Sequence, residues 1–187
     1  MFKKAFSSFF SKKTQLTIPR EIVNADKTLS DFLKEEIAAS SYIKPDYRQL
    51  VHDAIIKREY LKSGPALSAD EKREMGLNTR YKFFKPQTEV LTEEGLKVGP
   101  NEAFSIIEIR AQHRHSNIQN QISMLESGVV TQLEVASPSG DRDCTWCKQQ
   151  DGKKYPLNVD IDKLIQDNCT CVYCRLGLLA VVNDNNA

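Results

Sequence analysis

Cys144-Thr145-Trp146-Cys147 and Cys171-Val172-Tyr173-Cys174 are two C-x-x-C units with 23 residues between them, near the end of a 187-residue chain. A C-x-x-C turn lets one short loop offer two thiolates to a single ion, and zinc takes four such ligands in a tetrahedron. Two turns fill that shell and leave no open position, so the pattern predicts a structural and not a catalytic site. The intervening stretch is slightly longer than the usual spacing of about 15 to 20 residues. The expected ligands are Cys144, Cys147, Cys171 and Cys174. Cys169 is the alternative, because Cys169-Thr170-Cys171 could supply the second pair and leave Cys174 as a spare thiol.

Other chemistries of cysteine pairs fit less well. A thioredoxin-like redox pair belongs in a βαβ setting, and no such alternation is present. Rubredoxin-type iron uses a similar double knuckle, but the glycine that often follows each knuckle is here Lys148 and Arg175. Nucleic-acid binding by the knuckle needs local positive charge. From 141 to 187, Arg142, Lys148, Lys153, Lys154, Lys163 and Arg175 face seven aspartates. Four thiolates around zinc add further negative charge.

Working outward, Val129 to Val135 alternates like a strand, and Ser137-Pro138-Ser139-Gly140 breaks it. A short helix is expected near Asp160 to Gln166 and a strand from Leu176 to Val182. Before the knuckle, Phe104, Ile107, Ala111, Ile118, Ile122 and Leu125 recur at helical intervals. They predict one helix from roughly 102 to 127, capped by Asn101 and stopped by Gly128. Residues 77 to 100 hold Pro86, Gly95, Gly99 and Pro100 and read as loop with short extended pieces. Ser68-Ala69-Asp70-Glu71 is a capping box for a short helix stopped near Gly76. Pro45 opens a helix to about Lys62, with Tyr47, Leu50, Val51, Ala54, Ile55 and Leu61 as its buried stripe. Ser30 is placed to cap the helix before it.

Residues 1 to 20 stand apart. Lys3, Lys4, Lys12, Lys13 and Arg20 meet no acid until Glu21, and Phe2, Ala5, Phe6, Phe9 and Phe10 fall on one helical face. This arm either docks on a partner or membrane surface or folds onto its own body. It has no continuous apolar region and no cleavage site of the secretory type, and no run reaches the roughly 20 apolar residues of a membrane span. Cysteines kept in a reducing compartment favour metal over disulfides. Together these predict an α+β protein, a mainly helical body with a small C-terminal four-cysteine zinc-knuckle/β module. The expected parts are a basic arm over 1–28, a helical domain over 29–128 and the knuckle module over 129–187.

Catalysis finds no support in the sequence. His113 and His115 are two apart and point to different faces of a helix. His52 reads as a solvent-leaning position, and no His follows Cys147, which removes the usual base of a nuclease with cysteine knuckles. The chain lacks G-x-S-x-G, a P-loop and H-E-x-x-H. The paired acids Glu35-Glu36 and Glu93-Glu94 read as solvated faces.

From about 106 to 175 the sequence resembles the head-morphogenesis domain of tailed-phage minor head proteins, of the phage Mu type. Ile109-Arg110 and Asn117 on the long helix, Gly128-Val129, Leu133-Glu134-Val135, Cys144 to Lys153 and Asn168-Cys169-Thr170-Cys171 carry the resemblance. In that family a helix with an Arg precedes a strand, a C-x-x-C, an acidic-Gly turn and a terminal N-C-x-C. Where the family usually has His-Pro before the last cysteines, this chain has Gln166-Asp167, and Cys174 is an addition able to replace the missing His as ligand. The resemblance implies a non-enzymatic virion protein that works near the portal in capsid assembly, DNA packaging or delivery. Its implied partners are the portal or other head proteins, with transient DNA contact and homo-oligomers left open, in the virion or host cytoplasm. The competing classes are a bacterial zinc-ribbon adaptor or scaffold and a phage-derived toxin or effector.

Overall fold

The computed structural model describes residues 24–182, so the basic arm over residues 1 to 20 lies outside the described residues. Helix α1 (Leu29–Ala39) starts at Thr28, whose hydroxyl and backbone form a reciprocal capping box with Asp31. Ser30, the expected cap, instead hydrogen-bonds Nε2 of His52 at 2.9 Å. One tight turn at Pro45–Tyr47 leads into α2 (Arg48–Ile56). The helix ends well before Lys62 because Arg58, Tyr60 and Leu61 adopt left-handed backbone angles, φ 57°, 50° and 54°. The stripe narrows accordingly. Val51, Ala54 and Ile55 are buried, while Leu50 is 48 % exposed. His52 is buried, contrary to its expected solvent-leaning position, and its Nδ1 lies 3.1 Å from Asp53 Oδ1.

The Ser68 capping box opens α3 (Ala69–Glu74), as the sequence predicts. The expected loop over 77–100 instead holds two short helices, α4 (Lys85–Glu89) and α5 (Glu93–Val98). The punctuating residues mark helix starts more than loops: Pro86 sits in the first turn of α4, and Pro100 begins the next helix. Gly95 lies inside α5 because a Cβ there would come 2.5 Å from the Tyr42 carbonyl oxygen. Buried Gln87 secures the segment, donating to the Tyr60 carbonyl and accepting from the Phe84 N–H, both at 3.1 Å. Single antiparallel bridges join Ile43 to Leu91 and Ala66 to Phe84.

Helix α6 (Pro100–Ser127) is the spine, 28 residues and therefore about 42 Å long. It begins at Pro100 without a side-chain cap from Asn101, and Gly128 (φ 70°) ends it in the left-handed conformation that glycine adopts freely. Strand β1 (Val130–Ala136) follows, then α7 (Thr145–Gln150), β2 (Lys154–Pro156), α8 (Ile161–Asn168) and β3 (Gly177–Val182). The three strands form one antiparallel sheet in the order β2-β1-β3, with Leu133 opposite Tyr155 on one side and Ala180 on the other. The α+β class holds, with the helical body preceding the sheet.

The buried face of β1 carries Leu133 and Val135, and the core continues across position 128. Phe32, Leu33 and Ile37 of α1, Phe104, Ile107 and Ile118 of α6, and Leu133, Cys147 and Leu176 belong to one buried group. Each such large apolar side chain contributes roughly 1.5–3 kcal/mol when fully buried. Gln121 sits on the same face of α6, donating Nε2 to the carbonyls of Leu157 (2.7 Å) and Val159 (2.6 Å) and so fixing the approach to α8. Among the described residues no helix is long and apolar enough to cross a membrane.

Candidate metal centre

The two knuckles reach one point by different local routes. Cys144 immediately precedes α7 and Cys147 is that helix's third residue, so the start of a helix sets their spacing. Cys169 ends α8, its N–H still bonded to the Ile165 carbonyl at 2.8 Å, and Cys171 follows in the next turn. The sulfurs of Cys144, Cys147, Cys169 and Cys171 all lie within 4.8 Å of one another. Two sulfurs each about 2.3 Å from a tetrahedral zinc are separated by about 3.8 Å. Cys147 Sγ is 3.3 Å from Cys169 Sγ and 3.7 Å from Cys171 Sγ. The group can hold a metal ion.

Membership of the group differs from the set favoured by spacing: Cys169 takes the place given to Cys174. The C-x-x-C spacing at 171–174 is open to chelation, but α8 turns Cys169 inward, toward the first knuckle. Cys174 stays beside the group, its side chain interacting with that of Cys169.

The surroundings hold the sulfurs in place. The Cys144 N–H donates to Cys171 Sγ at 3.1 Å, a link between the knuckles through the backbone. Asp143 accepts from the Gly140 N–H at 2.8 Å, and Arg175 donates to its Oδ1 through Nε (3.1 Å) and Nη2 (2.9 Å). Burial alone would raise the Asp143 carboxyl, but the Gly140 N–H and the Arg175 guanidinium hold it below the ordinary carboxylate value. Arg175 thus binds the end of the second knuckle to the entry of the first, which accounts for an arginine where rubredoxin-like knuckles have glycine. Asp151 Oδ1 accepts from the Ser137 N–H at 2.7 Å and Gly152 N–H donates to the Val135 carbonyl, so the Asp-Gly turn is tied to β1.

The thiols differ in acidity. Burial pushes Cys144 up, but the backbone N–H groups of Cys147 and Thr170 and the neighbouring thiols bring it down to about 6. Burial raises Cys147 and Cys171. Cys169 is raised by its interaction with Cys174 and then by burial. At neutral pH Cys144 is held as the thiolate, and the other three thiols would release their protons to solvent on binding a cation.

A second cluster, which the sequence reading missed, docks the metal-binding segment onto the helical body. Arg114 of α6 donates to Glu35 (2.7 Å) and Glu36 (2.9 Å) of α1 and, through Nε and Nη2, to both oxygens of Asp162 of α8 (2.8 and 2.7 Å). Arg110, one turn earlier, donates to Glu36 at 2.7 Å and reaches the Cys171 carbonyl at 3.4 Å. Glu36 is therefore not on a solvated face: its side chain is 4 % exposed and that of Asp162 5 %, whereas Glu35 keeps 40 % of its side chain in solvent. Burial opposes ionisation of Glu35, yet hydrogen bonds from Lys27 and Arg114 hold its carboxyl below the ordinary value. The i, i+4 spacing of Arg110 and Arg114 was the available signal, since it puts two cations on one helix face.

The histidines take no part in the sulfur group. His113 is partly buried, and that burial lowers its imidazole while the Leu176 backbone opposes the shift. His115 packs edge-on against Phe32, with ring centroids 6.2 Å apart. No protein-family model, no curated protein and no solved structure matches this chain.

Proposed function

We propose that this protein is a non-enzymatic assembly component whose C-terminal segment is stapled by one structural zinc ion on Cys144, Cys147, Cys169 and Cys171, and that it serves as a minor head protein of a tailed phage. The observation that carries the reading is the convergence of four sulfurs from two short turns, within 4.8 Å of one another. Four thiolates complete the tetrahedral shell, so the ion would have no position for a substrate or an activated water. Zinc is preferred to iron because the turns lack the glycines of rubredoxin-like knuckles. The head-protein role is supported by the resemblance described above. Arg110 on α6 faces the second knuckle, the Asp151-Gly152 turn follows the first, and Asn168-Cys169-Thr170-Cys171 contributes two of the four sulfurs.

Elemental analysis of purified protein should find about one zinc per chain. Titrating zinc into metal-free protein at neutral pH should release roughly three protons per ion, because three of the four thiols are raised and Cys144 is lowered. Protons compete for those thiolates, so zinc should be lost as pH falls. A metal-free preparation whose melting curve does not respond to added zinc would sink the metal reading. The assembly role is tested on particles made by the encoding genome. Quantitative mass spectrometry should find a few copies per virion, and particles that lack the protein would refute the role.

A further inference from the structure

Five cysteines meet at a site that four can fill. With Cys144, Cys147, Cys169 and Cys171 engaged by an ion, Cys174 is the thiol left outside the shell, next to one of its members. Cys169 and Cys174 interact through their side chains and both line a cavity of about 20 Å³, room for a water-sized molecule. Cys144, Cys169 and Cys174 are half-buried, Cys147 and Cys171 are buried, and Cys171 lines the same cavity. The spare thiol therefore shares its cavity with two of the four grouped cysteines, Cys169 and Cys171.

We propose that Cys174 is an oxidation site: a peroxide-class oxidant converts it to a sulfenic acid, which then takes Cys169 out of the metal shell as a disulfide. The inference rests on the zinc reading given above. In the first step the Cys174 sulfur attacks one peroxide oxygen. The O–O bond breaks, Cys174-SH becomes Cys174-SOH, and one water leaves. In the second step the zinc-bound thiolate of Cys169 attacks the Cys174 sulfur. The S–S bond forms, the S–OH bond breaks, and the departing hydroxide takes up a proton to leave as a second water. Two sulfurs are oxidised by two electrons in total, and one hydrogen peroxide is reduced to two waters. The ion keeps three thiolates, its affinity falls, and it dissociates.

The test uses the full chain loaded with zinc, treated with hydrogen peroxide, and followed with a chromogenic zinc indicator. The wild-type protein should release its zinc and gain a Cys169–Cys174 disulfide, mapped by fragmentation of the peptide that contains both. Reduction with added zinc should restore the starting state. Cys174→Ser and Cys174→Ala should hold zinc before treatment and release it about tenfold more slowly. Equal release from wild type and both variants would overturn the inference, as would a disulfide between any other pair. Zinc missing from the untreated variants alone would overturn it by making Cys174 a ligand. Zinc missing from the untreated wild type would instead remove the metal reading on which it rests.

Discussion

Cys147→Ser is expected to abolish zinc binding and to cost on the order of 5 kcal/mol or more of stability. The serine hydroxyl is a poor zinc ligand, and three remaining thiols hold the ion far more weakly than four. The sulfur is also part of the core: Cys147 is 1 % exposed and packs in the buried group that contains Leu133 and Leu176. A hydroxyl placed there loses its water in a largely apolar surround. The damage should reach the helical body too, because Cys147 shares one buried group with Phe32 of α1 and Phe104 of α6. Denaturant titration with and without a chelator measures the effect. The wild-type midpoint should fall when zinc is removed, whereas the midpoint of the variant should not respond. A wild-type midpoint unmoved by chelation would show that the ion contributes nothing to folding. Cys174→Ser is the matched control and should keep both zinc and midpoint.

Arg114→Ala is expected to cost about 3–5 kcal/mol. The guanidinium makes hydrogen bonds to three carboxylates on two other helices. It also lies over the Phe32 ring, 4.8 Å from its centroid. Removing it leaves Asp162 without its partner and leaves Glu36 dependent on Arg110, at side-chain exposures of 5 % and 4 %. The destabilisation arises from carboxylates held out of water, more than from a lost attraction. Hence the triple change Arg114→Met, Glu36→Gln and Asp162→Asn should recover most of it. If Arg114→Ala melts like wild type, the network has no energetic role. Acid works on the same cluster. Because the Glu35 carboxyl is held below its ordinary value, its pairing stabilises the fold above the ordinary carboxylate range and is lost as pH falls through its depressed value.

Much of this architecture was legible in local pattern. The apolar recurrence from Phe104 to Ile118 with Gly128 beyond it specifies α6, and the alternation around Leu133 and Val135 specifies β1. Both signals act within a few residues of the element they predict. Choosing among Cys169, Cys171 and Cys174 was different, because spacing of two and of three are both compatible with chelation. The choice depends on where α8 ends and how its last turn aims Cys169. Helices α4 and α5 were hidden because proline and glycine break a helix in its interior yet start or flank one equally well. Glu35-Glu36 looked like a solvent face because its arginine partners lie 74 to 79 residues away. No window along the chain could have joined them.

That distance has a meaning in polymer terms. The metal cluster closes a loop between positions 144 and 171, whereas the arginine-centred cluster joins helices that begin at Leu29 and Ile161. The second loop is longer by about two doublings, and each doubling of a flexible loop adds only about 0.6 kcal/mol of closure entropy. Chain connectivity therefore penalises the far-reaching cluster by little more than roughly 1 kcal/mol relative to the near one. A remote partner is almost as affordable as a nearby one, and which charges meet is decided by the shape of the buried seam between α1, α6 and α8.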